Sequence, residues 1–500
     1  MISPRRRVLV LGLDGGTFDL LDPWMRAGEL PYLRSLVERG FRAPLRSVFP
    51  PKTIPAWYCF ATGADPGELG VFGFTEPNGS PGTSRIVQTF RPHEAFWDHL
   101  SRRGVTVGVL NFPLRAAYPI HGFVVPGMLA DSPPTYPPEV RAELERATGA
   151  VHLPELPAYR EADRATWMAH AIRAVDQYAR YAELLTERYR PSFLFALLRE
   201  TDRVQHQHWA ELTRPFSEVP EDLKEFWRAV DRAGARIERA FRAIGGPSIT
   251  LVISDHGHGA ARSDFFTNRW LAQEGYLTLR EGRPGLRRRL TARLLVASDR
   301  IPGLRRIVRA GADRLRGGAR REWLGRAIAG GGSFESMVDR IDWRRTVAYS
   351  YPVPEGIYLN PSNADLTPDR RARAVAEIRE RLERFPGSRI EVFAPQDIYR
   401  GRNLERAPAL LIRLDGLATE SRMDFAYPDP LLRHRPGYFY GSGVHRMDGI
   451  LIAEGDGVSA GRRDTPYSLL DVAPTVLDAM GFPAPETMSG RSFAPDFRSP

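Results

Sequence analysis

Short apolar runs alternate along this chain with longer stretches in which apolar residues return every three or four positions. Val8–Leu13, Val105–Leu110, Gly122–Val125, Phe193–Leu198 and Ile249–Ile253 are near-continuous apolar runs of strand length, the pattern of strands buried on both faces. Between them, Leu30–Arg39, Glu94–Arg103, Arg164–Arg188 and Leu223–Ile244 carry helical spacing. The alternation predicts an α/β fold, a three-layer α/β/α sandwich with a mostly parallel central sheet. Strand-like runs resume at Val347–Tyr351, Gly356–Leu359, Ile390–Val392, Leu410–Arg413 and Gly449–Ala453. The proline pairs Pro133-Pro134 and Pro137-Pro138 mark loops, and no internal repeat is visible.

Composition narrows the classes. With 500 residues and 42% apolar content the chain can bury a large core. Its single cysteine, Cys59, excludes an intrachain disulfide and a cysteine-rich zinc module. No apolar stretch approaches the ~20 residues of a spanning helix. Arg5-Arg6-Arg7 before an apolar run imitates an export signal, but Asp14 interrupts the run after six residues. That segment therefore reads as the first strand, and a reducing, cytoplasmic location is expected.

The net charge of +10 is concentrated. Fifteen arginines between Arg280 and Arg326 face only Glu281, Asp299, Asp313 and Glu322, so the rest of the chain is close to neutral. Apolar residues such as Leu290, Leu294, Ile301, Leu304 and Val308 recur between them at helical spacing. This predicts an arginine-rich helical insertion over 281–334, dividing a core formed by 1–280 and 335–500. Such a segment could cap a site for a phosphorylated substrate or rest on an anionic membrane surface. A solvated insertion explains it more simply, because lysine occurs only at Lys52 and Lys224 and arginine is the chain's default cation.

Chemistry gathers where the apolar runs stop. Val8–Leu13 ends at Asp14-Gly15-Gly16, and Ile249–Ile253 ends at Ser254-Asp255-His256-Gly257-His258-Gly259. Phe193–Leu198 leads through Glu200 to Asp202, with His206 four residues on and so on the same helical face. Open α/β sheets bind ligands at this carboxyl edge, and aspartate with histidine is a donor set for a divalent ion. Taken singly, Asp202 and His206 are equally a polar surface pair. Thr53, in Pro50-Pro51-Lys52-Thr53-Ile54-Pro55, begins a helix-like stretch and is a nucleophile candidate, or an ordinary N-cap. His445, in the glycine-rich Gly441–Gly449, is ambiguous alone.

In their order, these residues resemble the alkaline phosphatase superfamily, in its type I phosphodiesterase and nucleotide pyrophosphatase branch. The resemblance runs from Val8 to Arg491 and includes Asp14, Thr53, Asp202 with His206, Asp255-His256-Gly257 and His445. It implies an alkaline-phosphatase-like fold and two divalent metal ions, most often zinc. One ion would be held by Asp14, Asp255, His256 and the Thr53 oxygen, the other by Asp202, His206 and His445. It further implies hydrolysis of phosphodiester or nucleotide pyrophosphate bonds through a phosphothreonine on Thr53. A phosphomonoesterase and a phosphoalcohol headgroup transferase share this geometry. The expected partner is a phosphorylated small molecule, with no nucleic acid. The chain departs from the branch at Pro66-Gly67-Glu68-Leu69-Gly70, where a histidine is usual, and at Val71-Phe72-Gly73-Phe74, where an asparagine that contacts the phosphoryl oxygen is absent. His258 stands where Phe or Met is usual; it could orient a metal ligand, but a partly exposed histidine of no consequence is the simpler expectation.

Overall fold

The structure is a computed structural model that describes residues 6–87, 93–129, 134–149, 159, 163–280, 338–423, 425, 431–434 and 441–497. Its centre is a nine-stranded sheet: β1 (Arg7–Leu13), β2 (Phe41–Arg46), β3 (Val107–Leu114), β4 (Gly122–Met128), β5 (Phe193–Leu198), β6 (Ser248–Ile253), β7 (Asp448–Gly455), β8 (Gly461–Arg462) and β9 (Tyr467–Ser468). The spatial order is β8-β2-β7-β6-β1-β5-β3-β4, with β9 also on β2. Every pairing is parallel except those of β7, which runs antiparallel to β6 and β2. The mostly parallel sheet expected from the apolar runs is therefore present.

Alternating side chains send β1 to two cores. Leu9, Leu11 and Leu13 join one apolar cluster with residues of the helices Phe18–Arg26, Pro31–Arg39, Arg164–Tyr189 and Glu221–Arg242. Val8 and Val10 join the other, with residues of the helices Thr53–Thr62, Phe96–Arg102 and Val472–Met480. Helices on both faces leave no wet side, which is why β1 and β5 are buried at every residue and read as unbroken apolar runs. The Thr53–Thr62 helix is buried at all ten positions and stops at Gly63, whose φ of +63° suits a residue without a side chain.

Two elements were not evident in the sequence. β2 contains Pro44, which argues against a sheet interior. Its outer neighbours are short, however: β8 pairs with Phe41 and Arg42, β9 with Leu45 and Arg46, and Pro44 falls in the gap between them. The Phe18–Arg26 helix carries Pro23 inside it. Of the later strand-like runs, Gly449–Ala453 lies in β7, and the other four form a separate antiparallel sheet, in the order Ala348–Tyr349, Gly356–Leu359, Leu410–Leu414, Ile390–Phe393. That sheet shares its own apolar cluster with the helix Pro368–Glu383. The basic segment expected over 281–334 lies outside the described residues. Among the described residues no helix is long and apolar enough to cross a membrane.

An aromatic cluster underlies the Thr53–Thr62 helix. The fully buried ring of Phe195 in β5 lies 5.4 Å from Trp57, 5.3 Å from Phe60 and 5.5 Å from Phe112, centre to centre. Phe195→Ala leaves a cavity among rigid rings and is expected to cost about 3–5 kcal/mol, read as a lowered midpoint in equilibrium urea denaturation.

Candidate metal centre and nucleophile

β5, β1 and β6 are neighbours in the sheet and run in the same direction, so their carboxyl ends open at one edge. Asp14 leaves β1 directly, Asp255 and His256 follow β6, and β5 leads into the helix Glu200–Leu212 that carries Asp202 and His206 on one face. Thr53 is the first residue of its helix and is 2% exposed. His445 arrives from far along the chain. It lies in the strand Gly443–Arg446, which pairs antiparallel with Gly257–Ala260 so that His445 stands opposite His258. Backbone pairing thus holds the late histidine beside the Asp255-His256 segment.

The side chains converge. Asp202 Oδ1 lies 3.2 Å from His445 Nε2, 3.3 Å from His206 Nε2 and 3.5 Å from His258 Nε2. His206 Nε2 and His445 Nε2 are 2.8 Å apart. A second group joins Asp14, Asp202 and His256. His256 Nε2 stands 3.7 Å from Asp14 Oδ1, 3.2 Å from Asp255 Oδ2 and 3.4 Å from Thr53 Oγ1. All seven residues singled out in the sequence therefore lie within one network of contacts, and Asp202 belongs to both groups.

A common device orients the four imidazoles. Each turns Nδ1 to a backbone carbonyl: His206 to Gly443 at 3.0 Å, His445 to Pro51 at 2.6 Å, His256 to Gly257 at 3.2 Å and His258 to Gly15 at 3.3 Å. A carbonyl only accepts, so each Nδ1 carries the proton and each Nε2 presents its lone pair to the carboxylates. Gly15 makes the room: its φ is +66°, and a Cβ there would stand 2.4 Å from His258 Nδ1.

Burial makes this centre electrostatically costly. Loss of water, then the charges of Asp255 and Asp202, push the Asp14 carboxyl well above its ordinary range, against the Trp57 indole N–H that reaches its Oδ2 at 3.2 Å. Burial does the same to Asp255, opposed by the Gly15 N–H at 3.1 Å. Burial also disfavours the Asp202 carboxylate, but the facing His206 and His445 hold it well below the usual range. Desolvation lowers His256, His258 and His445, whereas the charge of Asp202 outweighs burial at His206 and raises it. Asp14 Oδ1, Asp255 Oδ2 and His258 Nε2 are buried with no hydrogen-bond partner. Orphaned carboxylate oxygens and imidazole lone pairs turned on one another are what divalent cations satisfy, and the mixed O and N donors suit zinc among them.

Two residues differ from their reading in the sequence. His258 is fully buried and joins Asp202, His206 and His445, where a partly exposed side chain was expected. Its position two residues beyond His256, in the same short segment, was the signal available. Lys52, read only as a neighbour of the nucleophile, bonds Glu355 Oε1 at 2.8 Å. His208 lies apart from the centre, edge-on to Tyr159 and 3.3 Å from Glu211.

The fold has counterparts among known proteins. Phosphonoacetate hydrolase from Sinorhizobium meliloti 1021, in complex with phosphonoformate, superposes with a TM-score of 0.53 at 14% identity over 96% of each chain. A mutant of the alkaline phosphatase PafA superposes with a TM-score of 0.56 at 12% identity over 100% of each chain. At such identities the likeness is one of fold. No curated protein matches the chain. Residues 8–315 match the family described as type I phosphodiesterase / nucleotide pyrophosphatase, a span that takes in every candidate except His445. The chain belongs to that family, and is thereby a phosphoester hydrolase with the fold of the alkaline phosphatase superfamily.

Proposed function

We propose that the protein is a two-metal hydrolase of phosphodiester or pyrophosphate bonds that works through a phosphothreonine at Thr53. The observation that carries this reading is the contact of Thr53 Oγ1 with His256 Nε2 at 3.4 Å, inside a set of three carboxylates and four imidazoles of which Asp14, Asp255, His256 and His258 are buried and the others half-buried. In it, Asp14, Asp255, His256 and the Thr53 oxygen hold one divalent ion, and Asp202, His206 and His445 the other. Bound there, the ions, zinc in this reading, supply Lewis acidity that lowers the pKa of the threonine hydroxyl and offsets charge on the phosphoryl oxygens.

The chain's own part is positioning. Thr53 sits in the first turn of a ten-residue helix whose dipole and N-terminal N–H groups favour an anionic phosphoryl group. Attack of Thr53 Oγ on phosphorus forms the P–Oγ bond as the bond to the leaving alcohol breaks. Water then attacks phosphorus, breaks the P–Oγ bond and releases a phosphomonoester with the hydroxyl restored. The orienting carbonyls of Gly443, Pro51, Gly257 and Gly15 keep the imidazoles fixed throughout. The substrate in this reading is a phosphorylated small molecule.

Thr53→Ala is expected to lower turnover of a nitrophenyl phosphodiester at least a thousandfold with both metal equivalents retained; hydrolysis at the parental rate would refute the mechanism. The zinc-loaded protein should hydrolyse bis-nitrophenyl phosphate and a nucleotide diester faster than nitrophenyl phosphate, and the opposite order would turn the reading to a phosphomonoesterase. Chelation should abolish turnover and lower the melting temperature, because ions bound only by the folded chain stabilise it by about 4 kcal/mol each at a thousandfold excess over Kd. A melting curve indifferent to chelator would contradict the two sites.

A further inference from the structure

A cavity of about 50 Å³ lies beside the imidazoles of His206 and His445, between them and the second sheet. Lys52 and Glu355 line it together with Glu420 and Ser421. Four observations bear on what it takes. Glu355 is 6% exposed; Lys52 Nζ engages its Oε1 at 2.8 Å, and its Oε2 is buried with no hydrogen-bond partner. Ile412, Leu414, Leu417 and Val444 make much of the remaining lining apolar, so an unpaired carboxylate oxygen on a residue that lines the cavity calls for a donor. Glu420 has Arg422 at 3.8 Å, so the lining is close to electroneutral and suits a neutral group better than an ion. His445 Nδ1 donates to the carbonyl of Pro51, which ties the wall that carries Lys52 to the candidate metal histidine, one residue before Thr53. Lastly, Lys52 is one of two lysines among 70 basic residues, in a chain that otherwise uses arginine. A compact ammonium has three donors and fits beside Glu355 where a planar guanidinium fork needs more room.

We propose that this cavity is the subsite for the alcohol side of the phosphate ester, and that it selects an alcohol bearing a further hydroxyl. The inference rests on the two-metal reading above and adds the substrate class to it. A hydroxyl matches the pair it meets: its O–H donates to Glu355 Oε2 while its oxygen accepts from Lys52 Nζ. The volume holds roughly three to five water-sized groups. That accommodates a hydroxymethyl or glycol fragment and leaves no place for a nucleobase. The class is therefore a glycerol-type or sugar-type phosphate ester.

The test compares two matched diesters, 4-nitrophenyl glyceryl phosphate and 4-nitrophenyl propyl phosphate, on the zinc-loaded full chain and its Glu355→Gln variant. The parent is expected to show kcat/KM at least tenfold higher for the glyceryl ester. Glu355→Gln should reduce that preference below threefold, by lowering kcat/KM for the glyceryl ester more than for the propyl ester. Inhibition by glycerol 1-phosphate and by propyl phosphate gives a binding readout independent of turnover, with the same tenfold preference in the parent and its loss in the variant. A sugar phosphate that inhibits more tightly than glycerol 1-phosphate identifies the sugar-type source. Equal treatment of the two esters by the parent overturns the subsite, as does an equal loss on both in the variant, which marks Lys52 and Glu355 as a structural pair. In either case the hydrolase reading stands if bis-nitrophenyl phosphate is still cleaved. If the loaded parent cleaves none of these esters, that reading falls and the subsite with it.

Discussion

Three carboxylates converge in a largely desolvated space, and the rest of the centre is arranged around that fact. Asp14 and Asp255 are fully buried and Asp202 is half-buried, each within reach of another's charge. Like charges in a low-dielectric interior repel far more strongly than at a surface, and each has also lost its hydration. The Trp57 indole, the Gly15 amide and four imidazoles are ranged against this cost. Neutral donors and lowered histidines compensate only part of it. Divalent cations are the natural countercharge for such a cluster.

The scaffold bears this strain because its core is rigid. β1, β5 and β6 are paired on both sides and packed on both faces, so hydrogen bonding and close packing fix the positions of their carboxyl ends. The rings of Trp57, Phe60, Phe112 and Phe195 lock the Thr53–Thr62 helix to the sheet. Trp57 serves both purposes, since one edge packs in that cluster while its N–H steadies Asp14. Stability of the core and geometry of the centre are thus set by the same side chains.

Much of this was legible in the sequence because the constraints are local. Strands buried on both faces must be apolar throughout, and the runs ending at Leu13, Leu198 and Ile253 show it. Asp202 and His206 are readable because helical spacing puts them on one face. His445 is different: its loop carries no signal alone, and only the order of motifs in the chain singled it out. What stayed hidden depends on contacts distant in sequence. β2 was obscured by Pro44, which is tolerated only because two short neighbours leave a gap. The burial of His258 follows from pairing with a strand nearly two hundred residues away, and the Lys52–Glu355 pair joins segments three hundred apart.

The antiparallel pairing of Gly443–Arg446 with Gly257–Ala260 has a consequence for biosynthesis. During translation, Asp14, Thr53, Asp202, Asp255 and His256 all emerge from the ribosome long before His445. Throughout that interval the nascent chain holds a partial ligand set whose carboxylates repel one another, and β6 lacks its partner β7. The centre is completed only when the segment carrying His445 has been synthesised, so the order of assembly itself delays reactivity until that point.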